Sequence, residues 1–300
     1  FEVTLPYSAH QNPTPPMTFL HNSWKGEGEQ MTPQTAMMLD EPQLKEAMAL
    51  SAGMMAFVDD AIGDIMQALE ASGALENTVV CYTSDHGDYL GDYNMLLKGA
   101  LQFQSITRVP FIWSDPARPE PTTTNALAST VDIGTTILER AGLRPYNGDQ
   151  GVSFGDALTG GQGQRDEVLV EYNDGGSRLG FDKASRVRSV ITSGWRYTMY
   201  LDQDWGELYD LENDPRETHN LWDIPAYAAE RYRDGHLGCQ NAQGPAGGRD
   251  GAGQARRRPC RACPWPGACI GQCNGLGCAR ERKCYRLVMR AGRAQNTPQL

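Results

Sequence analysis

The sequence predicts an α/β fold carrying a smaller antiparallel sheet on its C-terminal side. Two observations lead there. In the first 150 residues a long helical apolar spacing gives way to short apolar, β-branched runs, the alternation of a helix-covered sheet. After Val152 come only short strand-like runs between turn-forming stretches, the texture of an antiparallel sheet.

Leu44, Met48, Met55, Val58, Ile62, Ile65 and Leu69 recur at steps of three and four, one face of a long helix. Asp40 and Pro42 suit its start and Gly73 its end. Thr78-Val79-Val80-Cys81-Tyr82 reads as a strand buried on both faces, as in a parallel sheet. Val109–Trp113 reads as a second strand, and Thr130–Ala141, closed by Gly142, as a second helix. The later strands are expected at Val168–Tyr172, Val187–Ile191, Trp195–Leu201 and Glu207–Leu211. Asn173-Asp174-Gly175-Gly176 and Asn213-Asp214-Pro215 supply turns between and after them. The expected division is 1–150, 151–232 and a tail, 233–300.

Charge and cysteine set the tail apart. Residues 236–300 hold eleven Lys/Arg against two Asp/Glu, leaving sixteen against thirty-five before them, and seven of the eight cysteines. One reading is a metal module around Cys260-x-x-Cys263 with Arg256-Arg257-Arg258 beside it. The other is a frame-shifted or disordered segment, because Gly, Arg, Ala, Pro and Cys together are what GC-rich DNA yields out of frame. On either reading the tail is not expected to pack a core. No apolar run is long enough for a membrane helix, so no membrane partner is expected. No nucleic-acid partner is expected for the chain as a whole either.

The densest polar cluster, Thr83-Ser84-Asp85-His86-Gly87-Asp88, directly follows the first strand. Ligand sites of open α/β sheets gather beyond the carboxyl ends of strands. Asp85 and His86 offer an oxygen and a nitrogen to a metal, and Gly87 lets backbone approach closely. An isolated Asp-His pair more often only caps a strand. Lys98 by itself would be a solvated surface lysine. Cys81 reads as core, Asp59-Asp60 as solvated helix surface, and Asp88 and Asp92 as turn caps.

Read continuously, residues 78–113, TVVCYTSDHGDYLGDYNMLLKGALQFQSITRVPFIW, resemble the sulfatase family of the alkaline-phosphatase superfamily. They show the family's order: strand, [ST]-D-H-G-[DE], L-G-D, K-G and R-V-P. Phe57–Gly63, Ser129–Ile133 through Leu143, and Gly206–Leu211 with Asn213–Leu221 resemble its flanking segments, so the likeness covers roughly 1–225. It implies the C-terminal portion of an alkaline-phosphatase-like mixed sheet sandwich and a sulfuric ester hydrolase acting on a small-molecule or carbohydrate sulfate ester. By resemblance Asp85 and His86 are metal ligands and Lys98 contacts the sulfate.

The metal implied by the resemblance is calcium, with manganese or magnesium as alternatives; an imidazole ligand suits softer ions such as manganese or zinc better than calcium. Family members use a formylglycine nucleophile made from Cys or Ser in a C/S-x-P-S-R-type motif. That motif does not occur here, so this chain is expected to hold half a metal site and no nucleophile. Arg108 is a lesser candidate for substrate contact. Tyr93 and Gln102 stand where relatives often carry histidine, which leaves the leaving-group acid unassigned. Phe1–Pro33 resembles an extended family loop, making His10 and His21 loop residues. Localisation stays open. Three other readings remain: a phosphonate or phosphate diester hydrolase of the same superfamily, a binding protein that has kept the fold and lost the chemistry, or a zinc- or nucleic-acid-binding role for the tail.

Overall fold

The computed structural model describes residues 2–3, 5–27, 37–118, 120–177, 179–231 and 288–290. Helix α1 spans Pro15–Lys25, inside the stretch expected to be an extended loop. Its signals are local: prolines at the first two helical positions, where no amide partner is needed, and Gly26 in the left-handed conformation at its end. His21 therefore lies on a helix, its ring stacked 3.9 Å from that of Tyr7.

Helix α2 runs Glu41–Ala71, as its spacing predicts. Asp40 and Gln43 close a capping box, each side chain taking the other's backbone N–H. Along this 31-residue helix only Leu44 is buried, whereas Leu50, Met54, Met55, Val58, Ile65 and Phe57, the last at 76 %, are exposed. Asp59 and Asp60 are exposed surface, as expected.

Strand β1, Val80–Thr83, pairs antiparallel with β3, Phe111–Ser114. This corrects the expectation of a strand buried on both faces of a parallel sheet. Among the described residues β3 is its one ladder partner, and Tyr82 and Ile112 stay exposed. An apolar run states what a strand is able to bury, not that a covering layer is present. Cys81 is half-buried, and burial pushes its thiol pKa up, consistent with a core cysteine. Pro110 separates β3 from the two-residue β2, Arg108–Val109. Helix α3 is the short Gln104–Thr107, and helix α4 is Asp132–Arg140. Strand β4 is Leu127–Ser129.

The antiparallel sheet has the expected strands in sequence order: β5 Glu167–Ser177, β6 Ala184–Thr192, β7 Trp195–Tyr200 and β8 Gly206–Asp210. The Asn173–Gly176 stretch does not end β5. It is taken up in a register irregularity between Asn173 and Ser177, the way extra residues are absorbed in a bulge. Of the tail, only β9, Val288–Arg290, is described. Its backbone runs parallel to β2 and antiparallel to β4. The cysteines and the Arg256–Arg258 cluster lie outside the described residues.

The largest core cluster joins Met17 and Leu20 of α1, Tyr89, Tyr93, Met95, Leu101 and Phe103 of the loop after β1, and Val168, Val187 and Tyr209 of the sheet. His10 sits inside this core, with Nε2 2.8 Å from the Tyr209 hydroxyl and its ring edge-on to Tyr93. It is a loop residue, as expected, but one packed into the core. Burial, reinforced by nearby Arg196, lowers its pKa to about 4.

Two predictions follow from the packing. Unfolded His10 titrates near 6.5 and folded His10 near 4, so between those values the unfolded chain binds more protons. Stability therefore falls as pH drops through that window, by up to about 1.4 kcal/mol per pH unit for one histidine. Urea midpoints at pH 7 and pH 4.5 measure this, and His10→Gln flattens the difference. The bare apolar face of α2 is expected to bind an environment-sensitive dye such as ANS. Phe57→Lys with Ile65→Lys should reduce that fluorescence and leave the urea midpoint within about 0.5 kcal/mol per site.

Candidate functional site

Strand β1 delivers Ser84, Asp85 and His86 at its carboxyl end. The turn is built by short-range bonds. Asp85 Oδ1 accepts from the His86 backbone N–H at 2.9 Å, and the Ser84 hydroxyl donates to the His86 carbonyl at 2.8 Å. Gly87 N–H donates to the Ile106 carbonyl at 2.9 Å, which brings the turn against α3. A Cβ on Gly87 would stand 1.8 Å from the Ser105 carbonyl oxygen. Glycine is required there by close approach of two backbones.

The three residues singled out from the sequence come together. His86 Nε2 lies 3.3 Å from Asp85 Oδ2 and is hydrogen-bonded to Lys98 Nζ. His86 is mostly covered, at 18 % side-chain exposure, while Asp85 is 80 % exposed. His86 Nδ1 stands 2.7 Å from the Gly87 carbonyl oxygen. A carbonyl only accepts, so Nδ1 carries a proton toward Gly87, and Nε2 is the ring nitrogen turned toward Asp85 and Lys98. This is the arrangement that orients a metal-ligating imidazole. One carboxylate and one oriented imidazole fit one side of a divalent cation site. The Lys98 ammonium engages the same Nε2 that a cation would use. Among the described residues no group of three His, Cys, Asp or Glu side chains is assembled.

Lys98 is carried on a loop, residues 88–103, whose shape comes from side chains. Asp88 Oδ1 accepts from the N–H groups of Leu90 and Leu97, at 2.8 and 2.9 Å, closing the loop just before Lys98. Asp88 is thus more than a turn cap. Leu90, Tyr93, Asn94 and Leu97 all have positive φ, a cluster of strained backbone of the kind retained where position matters. The Tyr89 hydroxyl donates to the Leu101 carbonyl at 2.8 Å.

The remaining candidates separate from the site. The buried Tyr93 hydroxyl donates to the carbonyls of Arg216 and Glu217 at 2.7 and 2.8 Å, and burial pushes its pKa further up. Gln102 is buried and donates to the Gly99 carbonyl. Neither is presented as a leaving-group acid. Arg108 has an exposed side chain at the start of β2. Asp92 is half-buried, which raises its pKa. Asp132 is structural: it accepts from the N–H groups of Ser129 and Val152 and pairs with Arg165. A largely apolar cavity of about 790 Å³ opens beside β3, lined by residues including Phe111, Trp113 and Phe154, and none of Asp85, His86 or Lys98 lines it.

Because a Gly87 Cβ has only backbone to push against, Gly87→Ala is expected to destabilise by roughly 1–3 kcal/mol, the range for forced overpacking. Chemical denaturation measures this. An unchanged midpoint would mean that the β1 turn does not rest on α3.

Two family models match the chain. The Sulfatase model covers residues 6–143, and the model of the N-sulphoglucosamine sulphohydrolase C-terminal region covers 91–233. An arylsulfatase of Clostridium perfringens is 27 % identical over 194 residues, 63 % of this chain and 39 % of that protein. The chain thus spans about two fifths of that relative's length. A solved 2-O glycosaminoglycan sulfatase aligns with TM-score 0.63 at 23 % identity, covering 79 % of this chain and 51 % of that one. The phosphonate monoester hydrolase of Agrobacterium radiobacter aligns with TM-score 0.53 at 29 % identity, over 63 % of this chain and 40 % of that one. With both halves of residues 6–233 matched by sulfatase models and the same mixed α/β fold in the solved structures, the chain belongs to the sulfatase family of the alkaline-phosphatase superfamily.

Proposed function

We propose that this chain supplies the second half of a sulfuric ester hydrolase site, in which Asp85 and His86 hold a divalent cation and Lys98 holds the sulfate group. The observation that carries the reading is the convergence of these three side chains at the exit of β1, with His86 presenting Nε2. A cation there would act as a Lewis acid toward an ester oxygen. Lys98 adds a positive charge on an exposed loop position, suited to the negative charge that grows on the ester oxygens as the S–O bond breaks. Gly87 and Asp88 fix the two backbones that carry these groups. No nucleophile is assigned within the chain, and the formylglycine expected from the family belongs to a C/S-x-P-S-R-type segment that this sequence does not contain. Calcium is the expected cation from resemblance, with manganese or magnesium as alternatives, the imidazole ligand favouring manganese.

The match of residues 91–233 to the sulphohydrolase C-terminal model supports a sugar sulfate as the substrate class. A second reading is favoured by one observation. The phosphonate monoester hydrolase shares the fold at 29 % identity, and a cation beside an ammonium suits a phosphonate monoester as well as a sulfate ester.

The chain alone is expected to give no turnover of p-nitrophenyl sulfate. Robust hydrolysis abolished by Asp85→Ala would overturn the half-site reading. Mn²⁺ should broaden the ring-proton resonances of His86, and Asp85→Asn should remove that broadening. In a longer polypeptide that completes the domain, Lys98→Ala should lower kcat/KM for the sulfate ester by about 10²–10³-fold. A higher kcat/KM on p-nitrophenyl phenylphosphonate than on the sulfate would select the second reading.

A further inference from the structure

The loop that carries Lys98 is gripped on both sides by one buried residue far away in sequence. Five residues before Lys98, the Tyr93 hydroxyl donates to the backbone carbonyl of Glu217 at 2.8 Å. Six residues after it, the Gln104 backbone N–H donates to Glu217 Oε2 at 2.7 Å. Glu217 is 2 % exposed and has φ 59, an uncommon conformation for a residue with a side chain. Its other oxygen, Oε1, accepts from Arg196 Nε at 2.5 Å. Arg196, on β7, is fully buried and also donates to Glu207 Oε2 of β8 at 2.6 Å and to the Thr198 hydroxyl at 2.7 Å.

A carboxylate with both oxygens engaged is held in one orientation. The charge of Arg196, set by two strands of a hydrogen-bonded sheet, fixes Glu217. Glu217 in turn fixes both ends of the 93–104 segment. The turn that presents Glu217 is itself tied down. Asp214 accepts from the Thr218 hydroxyl and the His219 N–H, at 2.9 and 2.8 Å, and Gln104 Nε2 donates to the Pro215 carbonyl at 3.0 Å. Lys98 is exposed and needs such a frame, because its own flexible side chain does not determine where its backbone stands.

We infer that Glu217 is the positioning residue for Lys98, transmitting the rigidity of the antiparallel sheet to the loop that brings the ammonium to His86. This rests on the site reading above and adds the residue that sets its geometry.

The test reads the Lys98–His86 contact directly. In the full chain labelled with ¹⁵N-histidine, at one fixed alkaline pH, the Nε2 resonance reports whether that nitrogen accepts a hydrogen bond. Lys98→Met should move it downfield, toward the position of a free ring nitrogen. Glu217→Gln should move it in the same direction, with the β-sheet circular dichroism retained, and the double variant should add nothing to Lys98→Met. Where Glu217→Gln fails to fold, Gln104→Pro is the second variant. It deletes the N–H that Glu217 accepts and leaves the charge cluster intact. Proline suits the first position of α3, because Phe103 is already extended at φ −60 and ψ 158.

A folded variant of either kind with an unmoved Nε2 resonance overturns the inference, provided that Lys98→Met moves it. If Lys98→Met itself leaves the resonance in place, the Lys98–His86 contact falls, and the inference falls with it. Hydrolysis assays on a completed domain address the sulfatase reading separately.

Discussion

Much of this chain's organisation rests on a guanidinium buried between two carboxylates. Arg196 has no exposed surface, and Glu207 and Glu217 are buried with it. Three ionised groups out of water are costly, and their mutual attraction offsets that cost only when geometry and hydrogen bonds are good. Here the strands β7 and β8 provide the geometry, and Thr198 and the Gln104 N–H supply further bonds. Breaking such a pair by removing one partner costs about 3–5 kcal/mol, because the other charge is left stranded. The guanidinium also lies over the Phe103 and Tyr209 rings, at 5.3 and 4.6 Å. The cluster is thus bound into the aromatic core as well as into the sheet. Burial drives the neighbouring Tyr209 and Tyr93 hydroxyls further from ionisation, with Glu207 and Glu217 adding to it at Tyr209 and Glu217 at Tyr93, which keeps them as neutral hydrogen-bonding groups.

The polar site draws on the same loop. Its groups are short-range products of the turn after β1, except Lys98, which arrives from twelve residues away. The arrangement divides the labour. Asp85 and His86 are fixed by their own backbone bonds and by the Gly87–Ile106 contact. Lys98 depends on loop closure by Asp88 and on the anchoring of the loop to the sheet. The strained positions at Tyr93, Asn94 and Leu97 are therefore held by surrounding bonds rather than relaxed.

The site was more legible in the sequence than its support. The Asp-His pair follows a strand within three residues, so backbone connectivity alone puts it at the strand's exit. The K-G step twelve residues later gains its meaning from the family likeness, since nothing local to Lys98 says which way its loop folds. Helix α2 and the four strands of the antiparallel sheet obey spacing rules, although the Asn173–Gly176 turn signal is absorbed into β5 instead of ending it. What was not legible depends on distant partners. His10 reads as a loop histidine until Tyr209, 199 residues away, gives it a partner. Glu217 reads as one charge in a turn motif, and Arg196 as the polar member of a strand. Their burial comes from the packing of β7, β8 and the turn at 214–219 around the ion pair. Helix α1 is a different case, because Pro15-Pro16 and Gly26 were local signals outweighed by the likeness to an extended loop.

The apolar surface of α2 and β1 belongs to the same argument. Apolar spacing specifies which face a helix is able to bury, and it was right about helicity over 31 residues. Yet Met54, Phe57, Ile65, Tyr82 and Ile112 remain in solvent. Helix formation needs little from the rest of the fold once a capping box and good helix formers are present. Burial needs a partner layer. The described residues provide that layer on the side of the antiparallel sheet, where the main core forms. The Lys98 loop takes part in that core and is tied to it again through Glu217, so the ammonium rides on the packed part of the chain and not on its apolar, uncovered helix.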